Sequence, residues 1–128
     1  MNGGAGEVFE LAADLGKAST KVASQVYDVF EETGLLFATA WRANATATSG
    51  QTGRKYPPTI DHEMVFAGLG VAVEVGPNPA NGNPALAGRG YELGSRNQPP
   101  HLDGLRAMGP AVAILDRRAT TALNGLMP

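Results

Sequence analysis

The sequence has no cysteine among its 128 residues, so it forms no disulfide bond and offers no thiolate. No apolar run approaches the roughly 20 residues that a membrane-spanning helix requires. The sequence has ten basic and twelve acidic residues, and the basic residues are scattered along it. This argues against a protein that binds by neutralising phosphates. The acidic N-terminus lacks a basic region, so we expect no signal peptide and a protein made and used in a cytoplasm.

The length and hydrophobic content of the chain suffice for one compact domain spanning residues 1–128. Hydrophobic residues make up 43% of the chain. A chain of this size buries roughly two-thirds of its surface on folding, so a core can form without metals or disulfides.

The N-terminal part of the sequence favours helices. Residues 1–6 form a flexible leader, and a short helix is predicted from Glu7 to Lys17. Ser19 or Thr20 can then cap a longer helix from about residue 21 to 45. Apolar residues recur there at spacings of three and four and form one stripe: Val22, Val26, Val29, Phe30, Leu36, Phe37, Ala40 and Trp41.

The second half of the sequence favours strands and a final helix. Alternation predicts strands over residues 59–66 and 71–75, with a third candidate from Gly90 to Gly94. A last helix is predicted from Pro110, a good first-turn residue, to Leu123. A helical turn just before it is suggested by Leu102, Leu105 and Met108. The order predicts an α+β fold, with a long N-terminal helix and a C-terminal helix packed on one face of a small antiparallel sheet.

Two long irregular segments interrupt these elements. Residues 46–58 form a polar loop of small residues, and residues 77–90 are rich in proline, glycine and asparagine. Loops of this length are usually functional or disordered. We expect both to project from the body and to grip a neighbouring molecule.

Few residues point to chemistry. The one candidate cluster for a metal ion or for acid–base work joins Asp61, His62 and Glu63 to His101 and Asp103. Strand alternation places His62 opposite its two neighbours, so the triplet cannot converge on one ion. The glycines at 88, 90 and 94 do not match a dinucleotide fingerprint. We therefore expect no catalytic residue, no metal site and no cofactor.

Several short motifs together resemble a known family. They are the Val-Glu-Val-Gly-Pro run ending at Pro77, the segment from Tyr91 to Ser95, and the proline-led stretch from Pro99 to Met108. This arrangement resembles the siphophage tail-component family typified by gene product ten of a lambda-like phage. Members carry an aromatic residue followed by Glu-x-Gly-Thr/Ser, which Tyr91-Glu92-Leu93-Gly94-Ser95 matches. His101 stands where members usually have an aromatic residue.

The resemblance implies a structural virion protein, not an enzyme. It implies a ring, of six copies, in the neck between the capsid connector and the tail tube, of the tail-completion type. Its partners would be its own copies and the adjoining neck ring, tail terminator or tail tube. Genome DNA would pass through without sequence-specific binding, and no membrane would be involved. The protein would be made in the host bacterial cytoplasm.

We expect contacts with neighbouring subunits or the adjoining ring from ten residues: Arg54, Lys55, Tyr56, Pro79, Asn81, Asn83, Leu86, Arg89, Tyr91 and Arg96. Three alternatives stay open. The first, within the same class, is a tail terminator or head-closure ring. The others are a small metal-dependent hydrolase using His62, Glu63, His101 and Asp103, and a monomeric module that binds a host protein with the 77–90 segment.

Overall fold

The computed structural model describes residues 8–14, 19–67, 70–95 and 99–126. They form an α+β fold, as the sequence predicts, with three strands and three helices: β1 (Phe9–Asp14), α1 (Thr20–Ser49), β2 (Ile60–Ala67), β3 (Gly70–Pro77), α2 (Gly88–Leu93) and α3 (Asp103–Leu126). Two of these elements, β1 and α2, differ in type from the prediction. Short 3-10 turns occupy Pro57–Thr59, Pro79–Asn81 and Asn83–Ala87. The expected leader over residues 1–6 lies outside the described residues.

The sheet is antiparallel throughout, with the strand order β1-β3-β2. Val73 of the central strand lies opposite Leu11 and Met64, and Val75 lies opposite Phe9 and His62. Because side chains alternate along a strand, these apolar residues share one face of the sheet. That face meets α1.

The first strand corrects the prediction of a helix over residues 7–17. Within it, Phe9, Leu11 and Ala13 form the period-two pattern of a half-buried strand. The Phe-Glu-Leu-Ala-Ala-Asp sequence also suits a helix, because alanine, leucine and glutamate have high helix propensity. Pairing with β3 decides the outcome, as tertiary context often does. The ring of Phe9 then packs 5.6 Å from that of Trp41, measured between centroids.

The prediction of a strand from Gly90 to Gly94 is also wrong, because Gly88–Leu93 forms the short helix α2. Five residues are too few for alternation to distinguish a strand from one helical turn. The sheet therefore has three strands, but the third is β1.

The long helix α1 begins and ends near its predicted limits. The Ser19 hydroxyl accepts a hydrogen bond from the Val22 backbone N–H at 3.2 Å, which confirms the predicted N-cap. Gly50, with a φ of 64°, follows its last residue, Ser49. The helix thus extends four residues beyond the predicted end and takes in the start of the 46–58 segment.

The last helix starts seven residues earlier than predicted, at Asp103. Pro110 lies inside it rather than in its first turn, where its missing N–H leaves one helical hydrogen bond unmade. Proline suits a first turn, which explains the error. The helical turn expected around Leu105 and Met108 is the start of α3 itself.

The core lies between the sheet and α1, where Phe37, Trp41, Val73 and Val75 have no exposed surface. The helix approaches β3 so closely at Gly34 that an added β-carbon would overlap Val73 Cγ2. Helix α3 packs along α1, with Ala107 and Ala111 buried in the contact. Among the described helices, none is both long and apolar enough to cross a bilayer.

The 77–90 segment consists of short turns joined to the body. The Asn78 backbone N–H and the Asn81 side-chain amide both donate to the Thr59 carbonyl, at 2.8 and 3.2 Å. Ala85 and Gly88 are buried. This attachment holds the segment beside the Pro57–Thr59 turn.

Candidate functional site

Two of the three motifs that carry the family resemblance, residues 91–95 and 99–108, meet at one junction. It forms where the C-terminal part of α1, helix α2 and the first turn of α3 come together. The His101 and Leu102 backbone N–H groups donate to the carbonyls of Tyr91 and Glu92, at 2.8 and 3.1 Å. These bonds hold the Pro99–Met108 stretch against α2.

Glu92 is the central residue of this junction. Only 2% of its surface is exposed, and its two carboxylate oxygens accept hydrogen bonds from the Gly104 and Leu105 backbone N–H groups at 2.8 and 2.9 Å. Leu102, with a φ of 54°, is the residue just before α3. Its side chain cannot accept a hydrogen bond, so it cannot cap the helix. Glu92 therefore caps α3 from another helix and places a negative charge at its positive end.

Asp103 ties α3 to α1 and is 1% exposed. One carboxylate oxygen accepts from the Thr48 hydroxyl at 2.8 Å, and the other pairs with Arg106 at 2.6 Å. The Asn44 side chain donates to the Asp103 carbonyl at 3.0 Å. A buried carboxylate is tolerated only when it is compensated, and these contacts supply the compensation.

Replacing Thr48 by valine is expected to lower the free energy of unfolding by about 1.5 kcal/mol, because the buried Asp103 carboxylate loses a donor. Chemical denaturation measures the change. Thr46→Val is the control, since the Thr46 hydroxyl bonds only to the Arg42 carbonyl of its own helix, and its effect should stay within about 0.5 kcal/mol. Equal losses in both variants would contradict the assigned role of Thr48.

Three rings pack in a row across the same junction, the first two stacked and the third tilted. The centroids of Tyr56 and Tyr91 lie 4.7 Å apart at an interplanar angle of 22°, and Tyr91 and His101 lie 5.7 Å apart. His101 thus fills the place of an aromatic residue. Its Nδ1 atom is buried and lies 3.7 Å from an Asp103 carboxylate oxygen, beyond hydrogen-bond distance. The three rings join the turn of residues 50–56, which we call the 50s turn, to α2 and to the residues just before α3.

The two histidines do not share a site. His62 lies beside Gly34 of α1, and His101 lies beside Asp103, which bonds to Thr48 of the same helix. Residues 34 and 48 are about 21 Å apart along α1, whereas metal ligands must converge at about 2 Å. Within the described part of the chain, no group of three histidine or acidic residues could hold a metal ion. The geometry does not support the hydrolase alternative.

The predicted contact residues fall into different environments. Arg54, Lys55, Asn81, Asn83, Leu86 and Arg89 are exposed, and Pro79 is half-buried. Tyr91 is half-buried and Tyr56 is 2% exposed, so these two contact their own chain through the ring stack. Arg96 lies outside the described residues. Arg54 and Lys55 therefore present side chains to solvent on the 50s turn, while the adjacent Tyr56 does not.

Arg54 also lines an open groove of about 630 Å³, which we call the arginine–proline groove. Its lining residues are Arg42, Thr46, Ser49, Gly50, Gln51, Arg54, Pro57 and Pro58. The Arg42 guanidinium is fixed there, because it donates to the Ile60 carbonyl at 2.8 Å and to the Thr39 hydroxyl at 3.2 Å. The groove has apolar proline walls and two positive charges, with no acidic residue in its lining.

A second surface feature was missed by sequence reasoning. Phe66 is 72% exposed at the end of β2, and its ring stacks on Tyr27 of α1 with centroids 5.8 Å apart. We call these two residues the aromatic pair. Partial burial raises the pKa of the Tyr27 phenol, and the neighbouring carboxylates of Glu31 and Asp28 raise it further. Alternation places Phe66 on the same face of β2 as Ile60, His62 and Met64, and its ring stays exposed although Tyr27 of α1 stacks on it.

No family model, curated protein or solved structure matches the chain. The resemblance to the siphophage tail-component family therefore stays a prediction drawn from the motifs. The structure gives two of those motifs, residues 91–95 and 99–108, a common role, since they build the junction of α1, α2 and α3, whereas the Val-Glu-Val-Gly-Pro run belongs to β3. The surfaces open to a partner lie elsewhere, at the arginine–proline groove, the aromatic pair and the exposed residues of the 77–90 segment.

Proposed function

We propose that this chain is a structural protein of a tailed phage particle. Its copies form a ring in the neck, at the head–tail junction, and this ring joins the capsid connector to the tail tube. Its partners are its own copies and the adjoining neck ring, tail terminator or tail tube. The family resemblance motivates the proposal, and the surface of the chain supplies independent support.

The observation that carries the proposal is the placement of large apolar side chains on separate surfaces. Phe66 is exposed at the end of β2, while Leu86, Leu93 and Leu105 are exposed around α2 and the start of α3. A ring subunit contacts a neighbour on each side and a further ring above or below, so it needs several contact surfaces. Apolar side chains at separate ends of a small domain suit that requirement.

The charge of the chain fits a ring around DNA. The formal net charge is −2, and the described basic residues belong to different elements instead of one continuous stripe. A strongly basic lining would hold a duplex through phosphate contacts and would slow its passage. A nearly neutral ring lets DNA pass without sequence-specific binding.

Disrupting the gene in the phage that encodes the chain tests the proposal. We expect filled heads and tails of normal length to accumulate separately, because the joining ring is missing. Tails of uncontrolled length would instead indicate a tail terminator, and heads that lose their DNA would indicate a head-closure ring. Intact, infectious particles would contradict every one of these roles. Electron microscopy of the lysate distinguishes the outcomes.

A further inference from the structure

The aromatic pair and the arginine–proline groove lie at opposite ends of one side of the molecule. Along β2, Phe66 is six residues from Ile60, which corresponds to roughly 20 Å. Along α1, Tyr27 is fifteen residues from Arg42, which corresponds to about 22 Å. Arg42 of α1 donates to the Ile60 carbonyl of β2 at one end, and Tyr27 of α1 stacks on Phe66 of β2 at the other. Helix α1 and strand β2 therefore both run from the groove to the aromatic pair.

The end with the aromatic pair combines an exposed ring with acidic side chains. Asp28 and Glu31 belong to the same helical turn as Tyr27 and are exposed. With Leu35 and His62 they line a shallow depression between α1 and β2. These carboxylates therefore face the same side of the molecule as Phe66.

The arginine–proline groove has complementary chemistry. Pro57 and Pro58 offer apolar walls, and Arg54 is exposed at the rim beside the fixed guanidinium of Arg42. A guanidinium stacks favourably on an aromatic ring and also pairs with carboxylates. A partner that fills this groove should carry an exposed aromatic ring flanked by acidic groups. The other end of this same chain presents that combination.

We propose that the aromatic pair of one copy docks into the arginine–proline groove of the next copy. The contact joins two different surfaces, so it is head-to-tail. Such contacts build closed rings when the rotation between neighbours closes and open helical arrays when it does not. This inference rests on the proposed self-assembly of the chain and identifies the lateral contact between its subunits.

The contact has a defined set of interactions. The Phe66 ring enters the groove between Pro57 and Arg54. The carboxylates of Asp28 and Glu31 on the incoming copy approach the two guanidinium groups. Aromatic and arginine residues contribute much of the binding energy of protein interfaces. Complementary charges add specificity to the contact.

Two single substitutions test the contact on the full chain. Phe66→Ala removes the ring, and Arg54→Glu reverses a charge at the groove. Each should raise the concentration at which half of the chain is assembled by at least about tenfold, measured by sedimentation velocity. Val112→Ala and Arg117→Glu, both exposed on α3, are the matched controls and should leave that concentration unchanged. The thermal unfolding midpoints of all four variants establish that each is folded.

Mixing the two defective chains gives the sharper test. A Phe66→Ala chain keeps its groove, and an Arg54→Glu chain keeps its aromatic pair, so together they can make one productive contact. We expect a dimer containing one copy of each and nothing larger by native mass spectrometry. Complete rings from the mixture, or no dimer at all, would overturn the head-to-tail contact.

The outcomes also separate this inference from the proposed function. If the unaltered chain assembles and both variants assemble equally well, the assigned contact is wrong while the ring proposal stands. If the unaltered chain is monomeric at every concentration, the assigned contact is wrong and self-assembly itself is contradicted. If added salt weakens the assembly of the unaltered chain, as the Arg54→Glu substitution does, this result supports the charge pairing.

Discussion

Replacing Glu92 by alanine is expected to lower the free energy of unfolding by about 3 kcal/mol. The substitution leaves the Gly104 and Leu105 N–H groups without acceptors at the start of α3. Each of these hydrogen bonds is made to a charged group, which makes it stronger than a neutral one. The side chain is buried, so water cannot easily replace it. The first turn of α3 should loosen, and the attachment of α2 should weaken with it.

Urea unfolding followed by far-UV circular dichroism measures this loss. Glu92→Gln should show a smaller loss, because its amide oxygen can still accept one of the two N–H groups. Asp116→Ala removes an exposed carboxylate from the middle of α3 and should change the stability by less than about 0.5 kcal/mol. If Glu92→Ala behaved like Asp116→Ala, Glu92 would not be the cap of α3.

Two glycine-to-alanine substitutions in α3 are expected to differ clearly in their effect on stability. A β-carbon at Gly104 would lie 2.7 Å from the Trp41 indole, which is fully buried and has no space to move. Gly104→Ala should therefore cost about 2 kcal/mol through overpacking. A β-carbon at Gly109 would meet nothing within 4 Å apart from its chain neighbours. Pro110 follows it and disfavours helical backbone at a preceding residue that carries a β-carbon, which offsets the gain in helix propensity, so Gly109→Ala should change the stability by less than about 1 kcal/mol.

A double substitution shows whether the Trp41 contact causes the first effect. The atoms nearest to the added β-carbon are Cε2, Cζ2 and Cη2 of the indole. Phenylalanine at position 41 lacks most of that volume. Trp41→Phe combined with Gly104→Ala should therefore be more stable than the sum of the two single losses predicts. Strict additivity would contradict the packing assigned to this pair.

Hydrophobic spacing predicted the fold class and the long helices. The α1 stripe extends over enough residues to be unambiguous, and in residues 71–75 the alternating residues are β-branched valines, which favour a strand. Predictions from local sequence patterns were wrong where a segment is short or where its structure depends on residues far away in the chain. Strand β1 exists because β3 pairs with it, and α3 starts at Asp103 because Glu92, eleven residues earlier, supplies its cap. No rule based on neighbouring residues predicts that cap.

The candidate site was predictable only in part. Arg54 was expected at a contact surface and lies at the rim of the arginine–proline groove. Tyr56 and Tyr91 were expected there as well, but they stack on each other within the chain. Alternation groups Phe66 with Ile60, His62 and Met64 on one face of β2, yet Ile60 is 1% exposed and Phe66 is 72% exposed. Exposure at the end of a strand depends on which element covers it, and alternation carries no information about that.

The junction and the surface have separate roles in this account. The carboxylates of Glu92 and Asp103 find their partners within one chain, and the rings of Tyr56, Tyr91 and His101 pack against one another there, so the subunit can fold before it assembles. Binding partners then meet the surface at the two ends of β2. Variants of the junction should lower stability, whereas variants of the aromatic pair or the groove should lower assembly at unchanged stability.

A cryo-electron microscopy reconstruction of the neck of the phage particle tests the central claim most directly. The account predicts a ring of copies of this chain between connector and tail tube, with Phe66 of each copy beside Arg54 and Pro57 of the next. The account would be contradicted by a neck without this chain, or by a ring whose neighbouring copies touch through other surfaces.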